Sequence, residues 1–170
     1  MKKTTICIEC GESVTYKTNR PKRCDRCRDI KESSFQHKKR KPQRSKKEAK
    51  LQEVLNDLLP AAEYIDNGYY SWLISPKGSP LQLDRYYPTF KIGFEFNGRQ
   101  HYEFNPYMHK DRAAFDYLQS CDRRKQKGCD KRGVTLITIK YNKIITRDYI
   151  LTRLKEAGVM SIIRQHIKMP

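Results

Sequence analysis

The chain has 170 residues, room for one ordinary domain and a small appendage. No apolar run approaches the roughly 18 residues that cross a bilayer, and MKKTTICIEC lacks the long apolar stretch of a secretory signal, so the reading is a soluble, intracellular protein with no membrane partner. The formal charge is +17, with 17 Lys and Arg against 6 Asp and Glu in residues 1–50, which favours nucleic acid as a partner over a merely soluble basic surface.

Residues 1–30 carry four of the six cysteines, as Cys7-x2-Cys10 and Cys24-x2-Cys27. Tetrahedral zinc takes four thiolates at about 2.3 Å, and each CxxC turn offers two. So short a segment buries little core, which makes a structural Zn2+ the expected staple; two disulfides would require an oxidising compartment. Around the cysteines Lys17, Arg20, Lys22 and Arg23 are candidates for phosphate contact, with Tyr16, Arg26 and Arg28 beside them. Residues 31–44, KESSFQHKKRKPQR, have no apolar periodicity and read as a basic linker, whose Lys38, Lys39 and Arg40 would add to a DNA-binding surface.

From residue 45 the chain reads as a folded domain to its end at 170. Ser45-Lys-Lys-Glu48 is a capping box, and Leu51, Val54, Leu55 and Leu58 make one face of a helix that Pro60 ends. EYIDNGYYSWLIS is strand-like in its second half, PKGSP is a turn, and LQLDRYY and TFKIGFEFN are strands closed by Pro88 and Gly98. A helix is expected over about 110–131 before Gly133, then the β-branched strand VTLITIKY, then a helix over about 146–157 ending at Gly158. The order is helix, three strands, helix, strand, helix: a mixed α/β core behind an N-terminal zinc ribbon.

Strand alternation places Leu81 and Leu83 on one face and Gln82, Asp84 and Tyr86 on the other. On the next strand Ile92, Phe94 and Phe96 oppose Gly93, Glu95 and Asn97. If both apolar faces pack on the same helices, Asp84 and Glu95 converge, and two carboxylates brought together repel unless a cation or proton lies between them. A divalent cation with a preference for hard oxygen ligands suits that place. The bland readings are a surface Asp on an edge strand and a Glu paired with a cross-strand cation.

The run LDRYYPTFKIGFEFNGRQHYEF, with Asp84 before Pro88 and then Glu95-x-Asn97-Gly98-x-x-His101, resembles the PD-(D/E)XK nuclease superfamily. The likeness is to the branch related to the very-short-patch repair endonuclease and the phage and bacterial homing-type endonucleases. It extends to Ser45–Glu48 and to Asp122-Arg-Arg-Lys125, and an N-terminal zinc ribbon is a frequent companion in that group. The resemblance implies a restriction-endonuclease-like core that hydrolyses DNA phosphodiesters with Mg2+ or Mn2+, in the cytoplasm of a bacterial or phage-infected cell, with a homodimer for double-strand cutting. Alternatives are a DNA-binding protein with an inactive core and an RNA-binding zinc-ribbon protein. Two departures stand out: Asn97 replaces the usual lysine two residues after Glu95, and it is an amide where relatives place Asp.

Within that reading Asp84 and Glu95 hold the magnesium, and His101 manages protons, its ordinary pKa of about 6.5 suiting either direction. Asn97 and Gln100 position water or phosphate. The resemblance adds Glu48, which the capping box alone would explain, and Lys125, which could replace the missing lysine's charge or simply pair with Asp122 on its own helix flank. Tyr86, Tyr87, Tyr102 and Tyr107 flank the site as stacking candidates or as core and rim, and Cys121 and Cys129 read as small buried helix residues.

Overall fold

The computed structural model of the chain describes residues 2–36 and 45–164, so Lys38, Lys39 and Arg40 lie outside the described residues. The first unit is a hairpin of β1 (Lys3–Ile6) and β2 (Ser13–Tyr16), followed by helix α1 (Asp25–Gln36). Gly11, at φ 74°, takes the left-handed conformation that a tight turn between the strands requires. Helix α1 runs through residue 36, so the first six residues of the expected linker are helical. Their extra turns have a use, because α1 lies against the edge strand of the main sheet.

The remaining elements follow the expected order. They are α2 (Lys46–Leu58), β3 (Ile65–Ile74), β4 (Pro80–Tyr87), β5 (Ile92–Asn97), a 3-10 turn at Arg99–His101, α3 (Arg112–Arg132), β6 (Thr135–Lys140), α4 (Arg147–Glu156) and the short α5 (Met160–Ile163). Ser45 caps α2, its Oγ accepting from the Glu48 N–H at 3.1 Å. Asp111 caps α3, and Gly133 at φ 68° ends it. The sheet order is β3-β4-β5-β6, antiparallel except for β5 and β6, whose parallel pairing needs α3 as its crossover.

Both faces of the sheet are covered. On one, Leu51, Leu55 and Leu58 of α2 and Ile150 and Leu154 of α4 pack on Ile92, Phe94, Ile137 and Ile139. On the other, Cys129 of α3 and Val134 meet Tyr70, Leu73, Leu83 and Tyr86. The alternation expected for β4 is corrected here: Leu83 joins Tyr86 in the second cluster, apart from Phe94. Because α1 and α3 bury the second face, that face is no longer a polar one, and apolar side chains serve on both sides.

Edge strand β3 is closed off by α1. The Glu32 carboxylate accepts from the Ser71 backbone N–H at 3.1 Å and from its hydroxyl, and buried Asp29 accepts from Trp72 Nε1 at 3.1 Å. A backbone donor that would otherwise invite another strand is satisfied from within. The N-terminal unit is thereby tied to the core.

Candidate active site and metal centre

The four N-terminal cysteines converge because Cys7 and Cys10 flank the hairpin turn while Cys24 and Cys27 bracket the start of α1. Their sulfurs all lie within 4.8 Å of one another, and none is in a disulfide. Cys10 Sγ and Cys24 Sγ are 3.7 Å apart. Sulfurs at the corners of a zinc tetrahedron stand about 3.8 Å apart if each bond is about 2.3 Å. The cluster could therefore hold a metal ion such as zinc. Backbone donation from Cys24 brings the Cys7 thiol down to about 6, while burial pushes Cys24 up to about 12.

Of the expected phosphate contacts around this cluster, Lys17 and Lys22 are exposed. Arg20 and Arg23 have local duties: Arg20 Nε donates to Thr5 Oγ1 at 2.9 Å, and Arg23 pairs with Glu9 at 2.7 Å. Those bonds brace the hairpin.

The second cluster forms where β4 and β5 part. Their ladder pairs Tyr87 with Ile92, Tyr86 with Gly93 and Arg85 with Phe94. Beyond Arg85 the carboxylates take over. The Asp84 N–H donates to Glu95 Oε1 at 3.1 Å, and the Phe96 N–H donates to Asp84 Oδ2 at 2.8 Å. Each acid thus binds the other strand's backbone and is held in place by it.

Lys125 enters from α3 and places Nζ 2.6 Å from Glu95 Oε2, with both side chains largely out of water. The expected alternative of a Lys125–Asp122 pair on one helix flank is corrected by this contact. Asp122 instead meets His101 Nδ1 at 2.8 Å. Burial pushes the Glu95 carboxyl up to about 8 against the pull of Lys125, with the Asp84 charge adding to the rise. Burial raises Asp84 as well, against the Phe96 N–H and the charges of Lys125 and His101. For Lys125 burial opposes the charge, but Glu95 outweighs it and holds the ammonium above its ordinary value. A buried Glu95 and a half-buried Asp84 thus stand beside one half-buried lysine, whose ammonium contacts Glu95.

The other expected residues divide. Asn97 is buried at the end of β5. Gln100 is turned aside: its side-chain amide folds back over Gly98, where it would clash with a Cβ, and its backbone carbonyl lies 3.0 Å from His109 Nε2. Glu48 sits in the first turn of α2, where its N–H closes the Ser45 cap. Tyr86 and Tyr87 are core residues, Tyr102 rests near Tyr141, and Tyr107 is 97% exposed. Cys121 and Cys129 are buried, as expected.

Sequence reading passed over Arg85. Only 2% exposed, it binds Asp66 through Nε at 2.6 Å and Nη2 at 3.0 Å, reaches Asn56 Oδ1 at 2.6 Å, and lies 3.9 Å over the Tyr64 ring. It locks β4 to α2 and β3 one residue from Asp84. A signal existed in its neighbour, since an arginine next to a candidate ligand in a strand with both faces covered must find buried acceptors.

No family model matches the chain, and no solved structure matches it significantly. Over 84 residues it is 37% identical to uncharacterized protein 307L of Invertebrate iridescent virus 6, covering 49% of this chain and 43% of that one. It is 34% identical over 86 residues to uncharacterized protein 033L of Invertebrate iridescent virus 3, covering 49% and 44%. With uncharacterized protein 094L of Frog virus 3 it shares 37% over 65 residues, 38% of this chain and 42% of that one. The chain spans less than half the length of these relatives. Among the described residues, no helix is long and apolar enough to cross a membrane.

Proposed function

We propose that the protein is a metal-dependent DNA endonuclease that hydrolyses phosphodiester bonds, with a structural zinc on Cys7, Cys10, Cys24 and Cys27. The observation that carries this is the group of Asp84, Glu95 and Lys125, two acids and one base drawn from three different elements, with Glu95 buried and the other two half-buried. Asp84 and Glu95 offer the hard oxygen donors that Mg2+ or Mn2+ prefers, and the raised carboxyls are what a divalent cation would relieve. When bound, such a cation supplies Lewis-acid charge to the phosphate and makes water acidic enough to attack at neutral pH.

The chain's own groups do the rest. Lys125 brings a fixed positive charge from α3 to the position that Asn97 leaves without one, and it balances charge that builds on the phosphate. The Asp122 carboxylate, 2.8 Å from His101 Nδ1, orients the ring and leaves Nε2 as the atom turned to proton exchange. That nitrogen takes the proton of the attacking water and, once protonated, can pass it to the leaving oxygen. Homing-type or phage and mobile-element service, action in the soluble interior of an infected cell, and dimerisation for double-strand cutting belong to the same reading.

A second reading has its own support: both Glu95 oxygens are already engaged, by Lys125 and by the Asp84 N–H, which suits a DNA-binding protein with an inert core. Supercoiled plasmid separates the two. The expected result is nicking or linearisation that requires added Mg2+ or Mn2+ and is lost in Asp84→Asn, whose gel shift on the same plasmid is kept. Intact plasmid with a retained shift would replace the enzyme with the binder.

A further inference from the structure

Helix α3 has a second charged flank that the cleavage reading does not use. At about 100° per residue, Arg123, Arg124, Lys127 and Lys131 lie between about 100° and 160° around the helix from Lys125. They line a cavity of about 550 Å3 between α3 and the end of β3, with Trp72 on the strand side. All four side chains are exposed, and among the described residues none has an ion-pair partner. Gly128 brings the helix close to the strand here: a Cβ at that position would meet Leu73 Cδ1 at 2.8 Å. Four uncompensated cations along two turns of one helix, facing a groove, form an anion track about 12 Å long.

We propose that this groove takes the sugar–phosphate backbone of duplex DNA, as a second binding surface set apart from the cleavage site and indifferent to base sequence. Trp72 is the aromatic that could have read a base, and it is already occupied. Its Nε1 donates to Asp29 at 3.1 Å, its ring stacks on Tyr70 at 5.2 Å, and the Arg132 guanidinium lies 5.9 Å over it. Arg132 in turn is bound to Asp25 and Asp29 of α1. The wall of the groove is therefore rigid, and the groove offers charge without stacking or a hydrogen-bond code. An acidic protein would also meet a cationic groove, but the +17 charge of the whole chain favours a polyanion long enough to touch more than one face.

The groove's role rests on the nucleic-acid half of the proposed function and needs no catalysis. The test is equilibrium binding to two duplexes of unrelated sequence, without added Mg2+, across a salt series. The variants are Arg124→Gln/Lys127→Gln and, from the opposite face of the sheet, Lys50→Gln/Lys155→Gln. Every phosphate that a variant no longer neutralises flattens the slope of log K against log salt by about 0.9. The groove pair should lower the slope by about 2 and weaken both duplexes about tenfold or more to the same degree, while the control pair lowers it by less than about 1. Lys127→Glu, one reversed charge at an exposed position, carries the test should the pair fail to fold.

A groove variant with the wild-type slope, or one no flatter than the control, overturns the proposal and leaves the cations to an acidic protein. Weakening confined to one sequence overturns it in favour of base reading, and a wild-type chain that binds neither duplex overturns it altogether. Plasmid left intact by a protein that still shows the groove-dependent slope would refute the nuclease and leave the groove's DNA binding standing.

Discussion

Arg85→Met would remove the cation that holds β4 beside Asp84. The side chain is 2% exposed and its partner Asp66 17%, so the pair is a buried one rather than a surface ion pair. Losing one partner of such a pair destabilises by about 3–5 kcal/mol, because the remaining carboxylate stays out of water without its counter-charge. Asn56 Oδ1 and the Gln52 carbonyl lose their donor too. Arg85→Met/Asp66→Leu removes the stranded charge and leaves those two acceptors, which should bring the loss down to about 1–2 kcal/mol. Urea unfolding of the zinc-saturated protein, followed by the emission of Trp72, the chain's single tryptophan, measures both. A single variant that loses less than about 1 kcal/mol, or a double variant as damaged as the single, would refute the assignment of Arg85 as the buried anchor of this strand.

Three further outcomes are expected. Glu95 binds its proton more tightly folded than unfolded, so without a divalent cation stability falls as pH climbs from the ordinary carboxylate value of 4.5 to about 8; melting curves across that window should show the slope, and Glu95→Gln should flatten it. Zinc analysis should find one ion per chain and none in Cys24→Ser, whose Trp72 emission should shift to the red as α1 releases the indole from Asp29. Cys129 is fully buried and pushed up to about 12, so at pH 8 on the order of one thiol in 10,000 is ionised; mass mapping after alkylation should find it unmodified until urea is added.

Much of this molecule is written locally. The capping box at Ser45, the turn glycines, the 3.6-residue stripe of α2 and the β-branched run of β6 announce their elements because neighbouring side chains decide them. The cysteine spacing does the same for the metal cluster, whose ligands come in pairs from single turns. Asp84 and Glu95 do meet, but not for the reason alternation supplied: Leu83 packs on the face away from Phe94, and each acid is brought in by the other strand's backbone N–H.

What remained for the tertiary structure were pairings that depend on how a helix is rotated over a sheet. Lys125 and Glu95 are 30 residues apart, and His101 and Asp122 are 21 apart. Sequence spacing alone let Lys125 pair with Asp122; packing of α3 on the second face of the sheet turned one toward β5 and the other toward the 3-10 turn. The burial of Arg85 needed α2, β3 and β4 all in place, and the extension of α1 to residue 36 depended on an edge strand that only the folded sheet presents. A chain's local periodicities specify its elements; the partners of its buried charges are specified only when those elements close on one another, because desolvation is what makes one pairing worth more than the next.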